Sequence, residues 1–283
     1  MTTAPLPLAP RADGEPYELP VSGSLVVARW STVIAGVALL ASALLGLLYG
    51  EQWLYQSDAL LLPQVYGQDV ISLVIALPLL GLAVWRARRG SARGLVVWAG
   101  ALIYIAYWYH FHLGAIPFGP LFLLHVALVA SSLLALGVLV ARSDVGRFAH
   151  RFRAAMPART IGGMMIILGA VFSTVWIADV VERLGHGEVL DPAARGVYAV
   201  DLTVMLPVTI VAGFLLWRHH PWGYALSGPL LVNALLSMLT LWATSLLTSA
   251  AGMAVAGLQI LSFSIATLVM IVCVLLYMRE LRV

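Results

Sequence analysis

Residues 118–159 read FGPLFLLHVALVASSLLALGVLVARSDVGRFAHRFRAAMPAR. The first 24 of these hold no Asp, Glu, Lys or Arg. The next 18 hold Arg142, Arg147, Arg151, Arg153 and Arg159 against a single acid, Asp144. A bilayer core of about 30 Å needs roughly 20 apolar residues per helix. A short basic segment directly after such a run marks a loop retained on the cytoplasmic side. These 42 residues therefore read as one membrane span and the cytoplasmic connector that follows it.

The same alternation extends in both directions. Apolar runs occupy 25–49, 68–86, 94–113, 118–141, 160–182, 198–217, 222–244 and 251–278. Of 283 residues, 61% are hydrophobic and only 10% charged, with a mean hydropathy of +0.96. A soluble domain carries roughly 25% charged residues, so a soluble enzyme, a disordered chain, a disulfide scaffold and a nucleic-acid binder are excluded. The runs are continuously apolar and not alternating, which predicts helices and excludes a barrel. The expected fold is an all-α membrane protein of about eight transmembrane helices.

Every basic residue is arginine. Arg11, Arg29, Arg86, Arg88, Arg89, Arg93, the five of the connector, Arg218, Arg279 and Arg282 fall on one face, with a formal charge of +9. Arg183 and Arg195 fall on the other face with eight acids, for a charge of −6. The positive-inside rule then puts both termini in the cytoplasm. Residues 1–24 read as a disordered cytoplasmic tail, 25–141 as a first four-helix half, 142–159 as a connector, 160–278 as a second half and 279–283 as a short tail. In the connector, Val145, Phe148, Phe152 and Met156 recur at helical spacing. That predicts either an interfacial amphipathic helix whose Arg147, Arg151 and Arg153 meet anionic headgroups, or a solvated basic loop. Cys273 reads as a small apolar residue inside the last run.

A shift of 132 positions superposes Asp69 on Asp201 and Trp85-Arg86 on Trp217-Arg218. Pro78 and Pro207 follow the two acids at nine and six residues. An even number of spans per half would relate the halves by an axis along the membrane normal, as in parallel-repeat transporters. The small residues of the first run, including Gly46 and Gly50, suit close packing within the bundle or a homo-oligomer.

Ionisable groups inside spans are costly and so are functional candidates. Asp69 and Asp201 read as opening their spans, either as helix caps or as carboxylates at the mouth of a bundle. His110 and His125 flank a tight turn at similar depth. They could face each other as a relay, or as a weak metal pair with Asp69 or Glu51 supplying oxygen; Tyr104, Tyr107, Trp108, Tyr109 and Phe111 around them suggest an interfacial aromatic belt. Asp179 and Glu182 share a helical face, with Arg183 placed to pair with Asp179. Asn233 and Gln259 are the deeper amides. No P-loop, HExxH, GxSxG or CxxCH motif is present. Haem A synthase also has a four-plus-four plan, but it needs histidines on the even-numbered spans of both halves. Here only His125 qualifies, with Gly257 at its duplicate position, so no cofactor is expected.

The segment Asp69…Pro78…Ala87-Arg88-Arg89-Gly90-Ser91…Tyr104…Tyr107, with Asp201-Leu202…Leu206-Pro207…Arg218…Pro221-Trp222-Gly223-Tyr224, resembles a group of uncharacterised prokaryotic multi-pass membrane proteins. The resemblance covers most of runs two to seven. It implies a bacterial or archaeal cytoplasmic membrane and implies no activity. Three functions remain open: transport of a small solute or ion through a polar cavity between the halves, a non-catalytic sensory or accessory subunit, and a membrane metalloprotein or enzyme with an outer-face His/carboxylate site. The topology itself is testable. Reporter fusions placed after Arg89 and after Glu188 should report opposite compartments; both reporting the same one would refute the orientation.

Overall fold

A backbone in hydrocarbon must satisfy its hydrogen bonds within the segment, which favours helix wherever a run is long and apolar. The computed structural model describes residues 19–50, 54, 61–114, 116, 118–190 and 192–282. Among them, eight helices are long and apolar enough to cross a membrane. They are α1 (Val26–Tyr49), α2 (Leu61–Arg88), α3 (Ala92–Gly114), α4 (Phe122–Arg142), α6 (Ala158–His186), α7 (Ala194–Trp217), α8 (Pro221–Ala250) and α9 (Gly257–Glu280). A short helix, α5 (Val145–Ala149), lies in the connector.

The two proline-bearing spans share a device. In α2 the helix widens to a π turn at Ser72–Ala76, directly before Leu77-Pro78. In α7 it widens at Asp201–Met205, directly before Leu206-Pro207. Proline lacks an N–H and its ring crowds the carbonyl four residues back. Widening by one residue relieves that crowding, and the Leu77 and Leu206 amides donate five residues back, to Ser72 and Asp201. The π turns are 129 positions apart, so Ser72, and not Asp69, matches Asp201 at the bend. The shift of 132 holds only at Trp85-Arg86 and Trp217-Arg218, because α7 has three more residues between its proline and its tryptophan.

Packing of the two sets of four differs. In the first set α1 packs on α4 and on α2, and α3 joins α2 to α4. In the second set α6 packs chiefly on α7, and α9 on α8. The α8 helix is the central member, touching α2, α3, α7 and α9. Small residues set the closest approaches, as expected where lipid supplies no hydrophobic drive between helices. A Cβ on Gly162 of α6 would lie 2.4 Å from the Gly213 carbonyl oxygen of α7, and one on Gly100 of α3 would lie 2.5 Å from Val232 Cβ of α8.

The connector is not a continuous amphipathic helix. Asp144 caps α5 by accepting from the Arg147 amide at 3.0 Å, and the helix ends after five residues. Phe152 then pairs with Leu281 in extended conformation. Its ring packs on Tyr224 and Tyr277, with centroids at 4.9 and 5.0 Å. The helical spacing of apolar residues arises because Phe148 and Met156 are buried against the bundle, not inserted in lipid. Arg151, expected at headgroups, is only 6% exposed; Arg147 and Arg153 are exposed, the former paired with Asp144 at 3.2 Å. Within the expected tail, residues 19–24 are hydrogen-bonded to the connector: Ser22 N–H donates to Arg142 at 2.7 Å, and Asp144 N–H to Pro20 at 2.9 Å. The rest of that tail, residues 1–18, lies outside the described residues.

Gly100→Leu should force α3 from α8 and destabilise the fold by about 1–3 kcal/mol, the usual cost of overpacking. Gly81→Leu, where a Cβ meets nothing within 4 Å, should be neutral. Thermal unfolding in detergent reads both; equal midpoints would refute the α3–α8 contact.

Candidate functional site

The polar face of α3 organises the interior. Tyr104 and Tyr109 are fully buried. They do not form the lipid-facing aromatic belt that their composition suggests. Thr240 donates its hydroxyl hydrogen to the Leu236 carbonyl at 3.1 Å. Tyr104 therefore donates to Thr240 at 2.8 Å, and Ser72 lies 3.4 Å from Tyr104 Oη. Tyr109 donates to Asp69 Oδ1 at 3.1 Å, and Trp108 Nε1 to Ser237 Oγ at 2.9 Å. The first residues of the two π turns, Ser72 and Asp201, are thus both held by α3 tyrosines, Tyr104 and Tyr107, one helical turn apart. π turns recur at functional sites.

Asp201 joins three helices. Tyr107 of α3 donates to its Oδ1 at 2.8 Å, and Trp176 Nε1 of α6 to its Oδ2 at 2.9 Å. Trp176 stacks on Tyr198 at 4.6 Å, Tyr198 donates to Asp179 Oδ2 at 2.9 Å, and Arg183 pairs with the same oxygen at 2.9 Å. Asp179 is therefore the ion-pair member expected, while Glu182 is exposed on the same helix.

Beside this network lies an almost wholly apolar groove of about 500 Å³, walled by α3, α4, α7 and α8, within the usual range of ligand pockets. It lies over the α3–α8 contact, between α4 of the first set and α7 of the second. Leu95 to His110 line it along α3, roughly 22 Å of helix rise. Leu133 of α4 and Val204 of α7 line it while remaining 53% and 51% exposed, so the groove is open to the side. Its end nearest the connector is formed by Ser143, Phe148 and Trp222, and its far end by Tyr107 and His110.

Several sequence expectations change. Asp69 and Asp201 do not open their spans; each lies about two turns inside its helix and is buried. His110 does not face His125. His112 does, with ring centroids 4.6 Å apart, and His112 also stacks on Tyr109 at 4.7 Å. His125 shares a hydrogen bond with Ser42 at 2.9 Å. His110 points to the groove, its Nδ1 against the Tyr107 carbonyl. The reason is geometric: His110 and His112 lie about 200° apart around the helix. Among the described residues no three His, Cys, Asp or Glu side chains group as a metal set; Glu51 lies outside those residues. Asn233 is buried in α8, and no described residue hydrogen-bonds its Oδ1. Gln259 is not deep: α9 starts at Gly257, leaving Gln259 exposed in the first turn. Neither amide, nor Asp69 or Asp201, lines the groove. Sequence reasoning missed Trp176, Ser237 and Thr240; only their polar tips in apolar runs signal them.

No protein-family model matches this chain, and neither a curated protein nor a solved structure is similar to it.

Replacing Asp201 with Ala should leave the Tyr107 hydroxyl and Trp176 N–H unmet, at about 1–3 kcal/mol for each buried group. The same change made in a Tyr107→Phe background should cost less, read as a double-mutant cycle on thermal unfolding. Additive effects would show that the bond contributes nothing.

Proposed function

We propose that this polytopic membrane protein binds a small amphiphile drawn from the bilayer, and that it transports this amphiphile in place of a polar solute or ion. The carrying observation is the side-open apolar groove between the two sets of four helices. A polar solute or ion would need ionisable groups along its path. Here Asp69 and Asp201 are held by tyrosine and tryptophan donors, and Gln259 lies at a helix end. An apolar chain needs only such a groove and a way in from lipid, and the exposed walls at Leu133 and Val204 offer one.

The charge asymmetry of the loops supports both termini in the cytoplasm, and the resemblance to prokaryotic multi-pass proteins supports a prokaryotic cytoplasmic (inner) membrane. The exposed Arg147 and Arg153 suit anionic headgroups of that leaflet. The paired π turns before Leu-Pro support a duplicated ancestry for the two halves.

A photoreactive long-chain amphiphile with a mid-chain diazirine, added to the protein in nanodiscs, should label α4 and α7 saturably. Ala99→Phe or Ala225→Phe, each filling the groove, should lower saturable labelling about tenfold, the equivalent of overpacking by 1–3 kcal/mol. Gly137→Phe, where a Cβ meets nothing within 4 Å, should not. Labelling unaffected by the groove-filling changes would refute the reading.

A further inference from the structure

On the amphiphile reading above, the far end of the groove must receive the polar head. The polar side chains lining that end are Tyr107 and His110. The Tyr107 hydroxyl hydrogen is given to Asp201 at 2.8 Å, so its oxygen has only acceptor capacity left. His110 Nδ1 faces the Tyr107 carbonyl, which can only accept. Nδ1 therefore carries the hydrogen, and in the neutral ring Nε2 is an acceptor. The site is rich in acceptors and poor in donors. Among the described residues no arginine lines the groove at either end, and the Asp201 carboxylate stands one hydrogen bond behind Tyr107.

We propose that the groove selects an uncharged amphiphile whose head is a hydroxyl donor, seated at Tyr107 and His110. A hydroxyl supplies the hydrogen that these acceptors lack. A phosphate head would bring more acceptors and negative charge to a place without a cation, close to a carboxylate. At the opposite end, the Ser143 hydroxyl is turned back to the Leu139 carbonyl at 2.7 Å, Arg147 is not among the lining residues, and the remaining polar group is the Trp222 indole N–H, a donor that cannot accept the hydrogen of a hydroxyl head. The head is thus recognised at the far end, and the chain runs toward Trp222.

Competition against the mid-chain photoprobe tests this at pH 8, with five displacing compounds: hexadecanol, its methyl ether, hexadecyl phosphate, and two hydroxyl-headed natural lipids, a polyprenol and a diacylglycerol. Hexadecanol should displace the probe about tenfold better than the ether, the difference expected for one hydrogen bond with its acceptor otherwise unmet. It should also exceed the phosphate. Displacement by the polyprenol or the diacylglycerol supports the proposal and tells which chain the groove takes. His110→Leu should bring the alcohol down to the level of the ether while groove labelling persists. Equal displacement by alcohol and ether overturns the head-group assignment but leaves the groove reading standing. Strongest displacement by the phosphate overturns it in favour of a phospholipid. Absence of saturable groove labelling overturns both.

Discussion

A hydroxyl, an indole N–H or a carboxylate placed in hydrocarbon has no water to bond, so it must find its partner in the protein. The α3 helix carries most of that demand. Within Tyr104–His112 it presents tyrosines to α2, α7 and α8, a tryptophan to α8, and a histidine to His125 of α4. Each buried group left unmet would cost about 1–3 kcal/mol. Together these bonds fix the rotation of α3, and hence which of its faces is left to line the groove. His110 reaches the groove because Tyr109 and His112 are committed to the other side.

The two π turns belong to the same constraint. Each lets a proline sit mid-span without loss of the ladder around it, and each sets a polar residue against α3. In the first half Ser72 enters a chain of hydroxyls that ends on a backbone carbonyl. In the second half Asp201 takes two neutral donors and reaches α6 through Trp176. This bond counts for more than its counterpart, because α6 has little packing apart from α7. Similar devices thus act differently: one tightens a four-helix bundle, and the other ties an outlying hairpin to it.

The eight spans were legible because apolar length is dictated by the bilayer, and the helix limits follow the apolar runs except at the α8–α9 turn, where α8 continues to Ala250 and α9 starts at Gly257, and at α2. That helix begins at Leu61, well ahead of its run, since Pro63, Gln64, Gly67 and Gln68 are too polar to register as a span. The Asp179–Arg183 pair was legible from spacing alone. The partner of His125 was not: α3 is aromatic on every side in its last three turns, so its rotation cannot be inferred from pattern. The connector misled for a related reason. Apolar residues at helical spacing look alike whether they enter lipid or pack on the underside of a bundle. The groove left no signal at all, because residues such as Leu133 and Val204 that line a cleft read as residues that face lipid.

A bound amphiphile requires that α4 and α7 stay apart along the groove, with the chain between them. A cryo-electron microscopy map of the protein in lipid nanodiscs addresses this directly. It should show an elongated density between Leu133 and Val204, ending within hydrogen-bonding reach of His110. Finding α4 and α7 in van der Waals contact along that line, with no room between them, would contradict it.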